Sequence, residues 1–422
     1  MDKISLKPQG PGCDVFDPDS LPLDVAIDRI LSTLSPVTET TTKAIRKALG
    51  RVLAVNVTAP DNVPNHTNSA MDGFALAGND LSESGLATLT EVGAAFAGKP
   101  YLKEVKQGET VRIMTGAVMP SGTDTVAMKE YIEASDTCIQ LTKAVKLGQN
   151  VRAAGEDIKQ GQTVLHSGRR ITVADLGLLA SLGIKQIKVF KKPRVAFFSN
   201  GDELKQVGES LALGELYDSN RYTLHGLLKR AGAKLVDLGV AGDSYEAIRE
   251  AMIVGDKQAQ MVITSAGASV GEADYVYDIL QELGEVDFWK LAIKPGRPLA
   301  FGQLGNSSFF GLPGNPVSVM VTFALCVRPA LAKLSGEAAL QPITLNATTL
   351  SKLRKRPGRA EYQRAVYKNN PAGELVVEAF DYQGSGVLSS MSVANCFIVL
   401  DLQSEGADIG EQVQVLPFSE VF

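Results

Sequence analysis

Between Pro193 and Gly284 short apolar runs alternate with helix-like stretches, and this alternation limits the possible folds more than any other feature. The runs 194–199, 234–240 and 261–264 each predict a buried strand, and helices are predicted after them. Such alternation produces βαβ units and a parallel sheet. Ligands bind these sheets beyond the carboxyl ends of the strands. We therefore expect a site among three loops: NGDEL, the segment before Asp243, and SAGASVGEAD.

The sequence on either side predicts further domains. Residues 21–55 have apolar residues at helical spacing, with a second helix expected in TTKAIRKALGRVLA. Residues 56–150 break into short apolar runs between turn residues, which is typical of a β-rich module. Residues 151–180 include a predicted helix, VADLGLLASLG, that could pair with the N-terminal helices and make the β-rich module an insertion. From Gln341 onward strands dominate, which favours a small β-barrel or sandwich.

Composition excludes several classes of protein. The formal charge is −5, with 42 basic and 47 acidic residues, whereas a general nucleic-acid binder is usually basic. The start, MDKISLKPQG, lacks the apolar core of a signal peptide. The uncharged stretch 298–327 is broken by glycines and prolines, and its apolar part, 317–327, is too short to cross a bilayer. We expect a soluble cytoplasmic protein with no membrane partner, in which this part is a core helix.

The four cysteines are Cys13, Cys138, Cys326 and Cys396, and no two are close in sequence. Zinc sites bring pairs of cysteines close together, so this spacing argues against one. Free thiols in a reducing compartment are the expectation.

Two glycine-containing loops, SAGASVGEAD and GLPGNPVSV, lie between a strand and a helix. Glycines there allow backbone N–H groups to approach an anion at the helix N-terminus. Neither loop matches a dinucleotide-binding or P-loop pattern, so flexible turns remain an alternative. In the second loop, Asn315 suits a helix N-cap and Pro316 the first helical position.

Charge is unevenly distributed in the same region. No acidic residue lies between Asp287 and Glu337, and five basic ones do: Lys290, Lys294, Arg297, Arg328 and Lys333. This pattern indicates a cationic floor for an anionic ligand, with a solvated surface as the alternative. A second basic run, 352–359, is interpreted as a solvated loop.

Carboxylates stand at the predicted strand ends. Glu203, Asp243 and Asp274 each lie at or near one, and Asp72 lies in SAMDGF. Converging carboxylates beside a phosphate site commonly bind Mg²⁺. Asp243 alone is more simply interpreted as the N-cap of the helix that follows.

An ordered set of motifs extends over nearly the whole chain: NSAMDGFA, RIMTGAVMPSGTDTVAM, RAAGEDI, SNGDEL, YDSNR, TSAGASVGEADY, WKLAIKPGRPLAFG, GLPGNPVSV, GRAEYQR and QGSGVLSSM. Together they resemble the MoeA and gephyrin E-domain family of molybdopterin molybdenumtransferases. Each motif alone is modest evidence, and the ordered set is highly specific.

The resemblance implies an enzyme of molybdenum cofactor synthesis whose substrates are adenylated molybdopterin and molybdate. With Mg²⁺ it would release AMP and leave molybdenum on the dithiolene sulfurs. It would be a homodimer, with a pocket shared between the α/β domain of one subunit and the β-rich module of the other. A transient contact with the molybdopterin adenylyltransferase that supplies the substrate is a further expectation.

The implied fold is a multidomain α/β protein. A central molybdopterin-binding α/β domain with a mostly parallel sheet (181–336) would be joined by three others. These are an elongated helical and mixed dimerisation domain (1–55 with 148–180), an inserted β-rich module (56–147) and a C-terminal β-barrel-like domain (337–422).

Residue roles follow from matching motif positions. Catalytic roles are implied for Asp72, Thr115, Glu203, Asp243, Asp274, Lys290 and Lys294. Of these, Glu203, Asp243 and Asp274 would hold the metal. Substrate contacts are implied for Arg152, Asp157, Ser269, Gly271, Pro313, Pro316, Arg364 and Ser385.

Three motifs depart from the family pattern. SGGVSVG is SAGASVG here, so Ala266 replaces a glycine and carries strain if that position needs a positive φ. STGDEL is SNGDEL, and the last lysine of KPGKP is Arg297. Two other functions remain open: a molybdopterin adenylyltransferase of the same α/β fold, and a gephyrin-like scaffold without enzyme activity.

Overall fold

The computed structural model describes residues 20–135, 138–266, 275–339 and 341–422. The chain forms two compact units. One comprises the residues up to 41, Gly50–Val52 and Val189–Phe422, and the other comprises Thr42–Leu49 and Leu53–Lys188. The multidomain α/β fold expected from the sequence is confirmed, whereas the four domain boundaries remain a prediction.

The first predicted helix is confirmed and the second is wrong. Helix α1 (Leu23–Thr33) buries Ala26 and Ile30. The segment expected to form the next helix instead begins as strand β1 (Thr40–Ala44) and continues into the 3₁₀ turn Ile45–Lys47. Three consecutive threonines explain the difference, because β-branched side chains favour extended backbone over helix.

The second unit is rich in short strands, as predicted. Six of them form one mixed sheet in the order β7-β4-β6-β5-β9-β8. Helix α2 (Val173–Ser181) begins with a capping box, in which Thr172 and Asp175 bond each other's backbone N–H groups. The strands of this part of the chain are β2 (Val57–Thr58), β3 (Asn68–Ser69), β4 (Gly73–Leu76), β5 (Thr88–Ala95), β6 (Glu109–Ile113), β7 (Thr125–Met128), β8 (Ile132–Ala134), β9 (Cys138–Leu141), β10 (Val151–Arg152), β11 (Thr163–Leu165) and β12 (Gln186–Phe190).

A six-stranded α/β sheet dominates the first unit. Its elements are β13 (Arg194–Asn200), β14 (Leu204–Lys205), β15 (Leu216–Tyr217), α3 (Ser219–Arg230), β16 (Lys234–Ala241), α4 (Tyr245–Gln258), β17 (Met261–Ser265), α5 (Tyr275–Leu283), β18 (Glu285–Lys290), β19 (Ile293–Lys294), β20 (Pro298–Gln303) and β21 (Ser308–Leu312). The order is β16-β13-β17-β21-β20-β18. The first four strands are parallel, and β20 and β18 are antiparallel additions. This confirms the mostly parallel sheet.

Both faces of this sheet are buried. Along β13, Val195 and Phe197 pack into one apolar cluster, and Ala196 and Phe198 pack into another. A parallel sheet covered on both faces needs apolar residues on both sides, which is why RVAFFS is continuous rather than alternating.

The apolar run after the GLPGNP loop is a core helix, as predicted. It comprises α6 (Pro316–Thr322), the π-helical turn Phe323–Val327 and α7 (Arg328–Leu334). The helix continues past the predicted run, so Pro316–Leu334, contrary to the expectation from the sequence, is long and apolar enough to cross a membrane, but 72% of its most apolar window is buried inside the protein. Burial raises the pKa of Cys326 in this run to about 12, so it is an inert thiol.

The last part of the chain forms a closed barrel. Strand β24 pairs with β25 and with β26, so the order β24-β25-β22-β28-β26 returns to its start. Strand β19 pairs with the start of β24, whereas β25 pairs with the other end of that strand. The elements are β22 (Leu345–Thr349), β23 (Leu353–Arg354), β24 (Ala360–Asn369), β25 (Leu375–Ala379), α8 (Leu388–Val393), β26 (Cys396–Leu400), β27 (Gly406–Ala407), β28 (Gln412–Pro417) and α9 (Phe418–Val421).

The basic run in this barrel is only partly solvated. Lys352 is exposed and pairs with Asp408. Lys355, in contrast, is buried, and its ammonium donates to the carbonyl oxygens of Arg356, Leu402 and Ser404. The interpretation of 352–359 as a solvated loop is therefore wrong at Lys355, which ties two turns together.

Candidate functional site

The carboxyl ends of four parallel strands meet at one edge of the α/β sheet. The register places Ser199 beside Ser265, and Ser265 beside Leu312. The loops that follow these strands carry Glu203, Ala266 and Pro313, and the loop after the neighbouring β16 carries Asp243. The sheet thus brings the predicted loops to a common edge.

The turn after β13 presents Glu203. Gly201 has φ +144°, and a Cβ on it would lie 2.4 Å from Oε2 of Glu203. The carboxylate therefore folds back over Gly201, whose positive φ favours glycine. The carbonyl oxygen of Glu203 accepts a bond from the Leu216 N–H at 2.9 Å, which fixes the turn from the other side.

Asp243 is not a helix cap, contrary to the simpler interpretation of the sequence. The N-cap of α4 is Ser244, whose hydroxyl accepts from the N–H of Ala247 at 3.2 Å. Asp243 is exposed, and its own N–H donates to Oδ1 of Asp202 at 3.1 Å. Its carboxylate is therefore not used in capping. Sequence reasoning assigned no role to Asp202, although it stands in the SNGDEL motif.

Ala266 adopts the strained conformation that its replacement of a glycine implied, with φ +77°. Two hydrogen bonds hold it. Its N–H donates to the Leu312 carbonyl at 3.1 Å, and its carbonyl accepts from Nδ2 of Asn200 at 3.4 Å. Oδ1 of Asn200 in turn accepts from the buried hydroxyl of Thr264 at 3.0 Å. Asn200 is thus a contributor that sequence reasoning noted only as a departure.

Ser269, Gly271 and Asp274 lie outside the described residues. Their predicted roles, and a metal site made by Glu203, Asp243 and Asp274 together, remain predictions. In the part of the chain that the structure describes, no three His, Cys, Asp or Glu side chains are grouped as a metal site requires.

The GLPGNP loop is anchored by two other segments. Asn315 occupies the N-cap position of α6 and Pro316 the first helical position, as predicted, although the Asn315 side chain makes no capping bond. The side-chain amide of Asn220 donates to the Gly314 carbonyl at 2.7 Å. The Val317 N–H donates to the Ser385 carbonyl at 3.1 Å. This bond brings Ser385 to the start of α6, next to Pro316.

Asn220 belongs to the YDSNR motif, to which sequence reasoning gave no role. Its neighbour Asp218 caps α3, with Oδ1 accepting from the Arg221 N–H at 3.1 Å. Oδ2 of Asp218 and Oδ1 of Asn220 are buried without a hydrogen-bond partner among the described residues. Unpaired buried acceptors are unusual, so the motif adds acceptor capacity near this loop.

The two predicted lysines differ in environment. Lys290, the last residue of β18, is only 9% exposed. Lys294 is half-exposed, and its ammonium lies 3.3 Å from Oε1 of Glu361. Lys294, which lies in the acid-free stretch, is therefore paired with a carboxylate from a strand much later in the sequence. The distribution of charges along the sequence could not show this pairing.

Gly296 allows this lysine segment to approach α6. It has φ +107°, and a Cβ on it would lie 2.7 Å from Cγ2 of Thr322. Any side chain would have to push the segment away from the buried helix.

Arg364 is a fully buried cation in the barrel. Its Nη2 donates to the carbonyl oxygens of Tyr382 and Gly384, at 3.2 and 3.0 Å. Its Nε and Nη1 have no partner among the described residues. Burial lowers the pKa of this guanidinium, which is a sign of uncompensated charge.

The other unit brings together two of its four predicted residues. Oδ1 of Asp72 accepts from the backbone N–H of Thr115 at 2.8 Å and from its hydroxyl at 2.7 Å. The backbone bond, followed by the hydroxyl bond, lowers the pKa of Asp72. Arg152 pairs with Asn68 on the short ladder β10–β3. The backbone N–H of Asp157 donates to the Val63 carbonyl at 3.0 Å.

Three regions of the chain match known protein families. Residues 21–183 match "MoeA N-terminal region (domain I and II)". Residues 199–333 match "Probable molybdopterin binding domain", and residues 346–418 match "MoeA C-terminal region (domain IV)".

Individual relatives extend over the whole chain. A molybdopterin molybdenumtransferase from Haemophilus influenzae is 42% identical over 403 residues, which are 95% of this chain and 99% of the relative. One from Bacillus subtilis is 31% identical over 415 residues, covering 95% and 94%. The crystal structure of a molybdopterin biosynthesis MoeA protein from Pyrococcus horikoshii superposes with a TM-score of 0.82 at 28% identity, covering 94% of this chain and 100% of that one.

Proposed function

This chain belongs to the MoeA family and has molybdopterin molybdenumtransferase activity in molybdenum cofactor synthesis, and from that premise we propose its substrates, its metal and the residues that act. The substrates are adenylated molybdopterin and molybdate. Water adds across the adenylate link as AMP leaves, and the dithiolene sulfurs bind molybdenum while displaced molybdate oxygens are released as water.

Arg364 is the observation that carries this proposal. Burying a guanidinium costs free energy unless a partner compensates the charge, and two of its donor atoms lack one among the described residues. An oxyanion such as molybdate or a phosphate offers acceptors that match the fork of a guanidinium. We assign Arg364, with Ser385 beside the GLPGNP loop, to an oxyanion of the substrates.

Lys290 and Lys294 add positive charge on the lysine segment. Cleavage of the adenylate link leaves negative charge on AMP and on the molybdopterin phosphate, and fixed cations stabilise that charge as it develops. Pro313 and Pro316 hold the neighbouring loop in a rigid form. Ser269 and Gly271 are proposed to bind the same substrate through backbone N–H groups.

Mg²⁺ is the proposed metal, held by Glu203, Asp243 and Asp274. The donor set suits it, because the Asp243 carboxylate is exposed and unused in capping, and carboxylate oxygens are the ligands that Mg²⁺ prefers. When bound, Mg²⁺ would neutralise charge on the phosphate oxygens. Glu203 and Asp243 themselves orient the adenylate end of the substrate.

The β-rich module is proposed to act in a homodimer. Asp72 and Thr115 form a rigid pair whose carboxylate stays ionised, and Arg152 and Asp157 follow on the returning segment. In the proposed dimer these residues meet the α/β domain of the second subunit. We also propose a cytoplasmic location and a transient contact with the adenylyltransferase that supplies the substrate.

The two alternatives are not adopted. An adenylyltransferase would need only the α/β domain, whereas the matches include the regions on both sides of it. A scaffold without enzyme activity would not require buried cations next to the substrate loops.

The proposal is tested by incubating the purified protein with adenylated molybdopterin, molybdate and Mg²⁺. We expect AMP release and a product that reconstitutes an apo-molybdoenzyme. Arg364→Ala should abolish both and Glu374→Gln, an exposed carboxylate on the barrel, should abolish neither. AMP release no faster than without protein would refute the proposed reaction, and a fully active Arg364→Ala would refute the anion role.

A further inference from the structure

We propose that Glu361 is a positioning residue for Lys294: it holds the lysine ammonium at one end of the anion site and leaves two of its N–H donors for the substrate oxyanion. This inference rests on the proposed role of Lys294 in the transferase reaction. It gives a role to Glu361, the acidic residue of the GRAEYQR motif, to which no role has been assigned above.

The two residues face each other through backbone pairing. Strands β19 and β24 are parallel neighbours, with Ile293 opposite Ala360 and Lys294 opposite Glu361. Partners in a ladder present side chains on the same face, a few ångströms apart. The ion pair is therefore set by the backbone, not by a chance meeting of two long side chains.

Glu361 is held firmly. On the opposite edge of β24 it pairs with Leu400 of β26, so its backbone lies between two strands. Its Oε1 accepts from Lys294 at 3.3 Å, and its Oε2 accepts from Nε2 of Gln363 at 3.1 Å. Gln363 also donates to the Arg354 carbonyl at 3.3 Å. Both carboxylate oxygens are thus engaged.

Burial of the pair is uneven. The side chain of Glu361 is 8% exposed and that of Lys294 is 45% exposed. A buried carboxylate next to a half-exposed ammonium acts as a fixed anchor for a movable charge. Since a lysine ammonium has three N–H donors and Glu361 takes one, two remain for an oxyanion.

The consequence for catalysis concerns geometry. A free lysine side chain has large rotamer entropy and would lose it when an anion binds. Anchored to Glu361, Lys294 has already lost part of that freedom, so binding of the anion costs less. Glu361 acts through Lys294 and need not touch the substrate.

The test compares Glu361→Gln with Glu378→Gln, which removes an exposed carboxylate from strand β25 of the same barrel. Each variant is assayed for AMP release while molybdate and adenylated molybdopterin are titrated separately. We expect Glu361→Gln to raise the KM for one of the two anions about tenfold with kcat changed much less, as mispositioning of a binding group would. Glu378→Gln should leave both constants unchanged.

A second measurement does not depend on turnover. Reductive methylation followed by peptide mass spectrometry gives the reactivity of each lysine amine. The ion pair with the Glu361 carboxylate holds and partly covers the Lys294 amine, so Glu361→Gln should increase methylation at Lys294 about threefold or more, with no change at the exposed Lys352. If the wild type releases no AMP, the proposed function fails, and this readout still tests the anchor.

Two further variants keep the inference open to refutation if Glu361→Gln folds poorly. Gln363→Leu frees one carboxylate oxygen and should raise the same KM by a smaller factor. In a Lys294→Met background, Glu361→Gln should have no additional effect on KM. Unchanged KM and unchanged methylation in a folded Glu361→Gln protein, or full additivity with Lys294→Met, would overturn the proposal.

Discussion

The side-chain amide of Asn200 donates to the carbonyl oxygen of Ala266, a non-glycine residue in the left-handed region with φ +77°. Both residues depart from the family pattern, which has threonine and glycine at these positions. The two departures meet in space, although they are 66 residues apart in sequence. We interpret Asn200 as support for a strained Ala266 at the start of the SAGASVG loop.

Ala266→Gly should therefore stabilise the protein. The left-handed conformation costs a non-glycine residue about 1–2 kcal/mol, and glycine loses about 0.4–1 kcal/mol through unfolded-state entropy. We expect the free energy of unfolding to rise by up to about 1.6 kcal/mol in urea titrations. The matched control is Ala251→Gly within helix α4, which should lower stability by about 1 kcal/mol. A drop for both variants would mean that Ala266 is not strained.

Asn200→Thr should cost more stability with alanine at position 266 than with glycine there. The change removes the amide donor and leaves the Ala266 carbonyl with one bond fewer, at a cost of about 1–2 kcal/mol. In the Ala266→Gly background the cost should be smaller, because glycine needs no support for this conformation. A double-mutant cycle measures the difference, and an interaction free energy of zero would separate the two residues.

Arg364→Met should separate stability from activity. Replacing this buried charge by an apolar side chain of similar length removes the cost of burying the charge but leaves the carbonyl oxygens of Tyr382 and Gly384 without their donor, so we expect the free energy of unfolding to change by no more than about 2 kcal/mol. AMP release should nevertheless fall about a hundredfold or more, because the oxyanion loses its fixed cation. Thermal unfolding and the AMP assay on the same sample decide this. A variant that is destabilised and fully active would show that Arg364 is structural.

Asp243→Asn and Ser244→Ala should have opposite effects, although the residues are adjacent. Ser244 caps helix α4, so its loss should lower the free energy of unfolding by about 1 kcal/mol with little change in turnover. Asp243→Asn should leave stability within about 0.5 kcal/mol, as for an exposed position, and reduce Mg²⁺-dependent AMP release. Raising the Mg²⁺ concentration should partly restore that variant. The reverse pattern would return Asp243 to a capping role.

Thr115→Val should raise the pKa of Asp72 without restoring its ordinary value. The hydroxyl bond is lost, whereas the larger contribution, from the backbone N–H of Thr115, remains. A depressed carboxyl pKa stabilises the fold above the unfolded pKa, and this stabilisation is lost as pH falls through the folded pKa. The stability difference between variant and wild type should thus be present at neutral pH and disappear in acid. NMR titration of the Asp72 carboxyl carbon measures the shift, and an unchanged titration would contradict the assignment.

Local patterns predicted the α/β core well. The strand Arg194–Asn200 is recognisable because burial on both faces makes it a continuous apolar run. The helix Tyr275–Leu283 is recognisable because burial on one face places its apolar residues at helical spacing. The prediction of helices and their caps failed where the local residue preferences favoured two outcomes almost equally. Three threonines turned an expected helix into β1, and Ser244 rather than Asp243 became the cap because both residue types suit that position.

The candidate site was less accessible to sequence reasoning, since its decisive features are long-range. Glu361 lies opposite Lys294 only because β19 joins the barrel. Nothing in the sequence indicates that Arg364 is fully buried with unpartnered donors, because that depends on how the barrel closes around it. Its motif could only suggest an anion contact.

The pairing of β19 with β24 has a consequence for recombination between homologous proteins. A strand from within the α/β sequence is completed by the C-terminal barrel, and the charges at 294 and 361 are matched in that ladder. A barrel recombined from a distant homologue would bring its own residue to face Lys294. Chimaeras joined after residue 336 should therefore keep the wild-type KM for the anion only when donor and recipient carry complementary residues at these two positions, so we expect the barrel and the lysine segment to be exchanged together without loss.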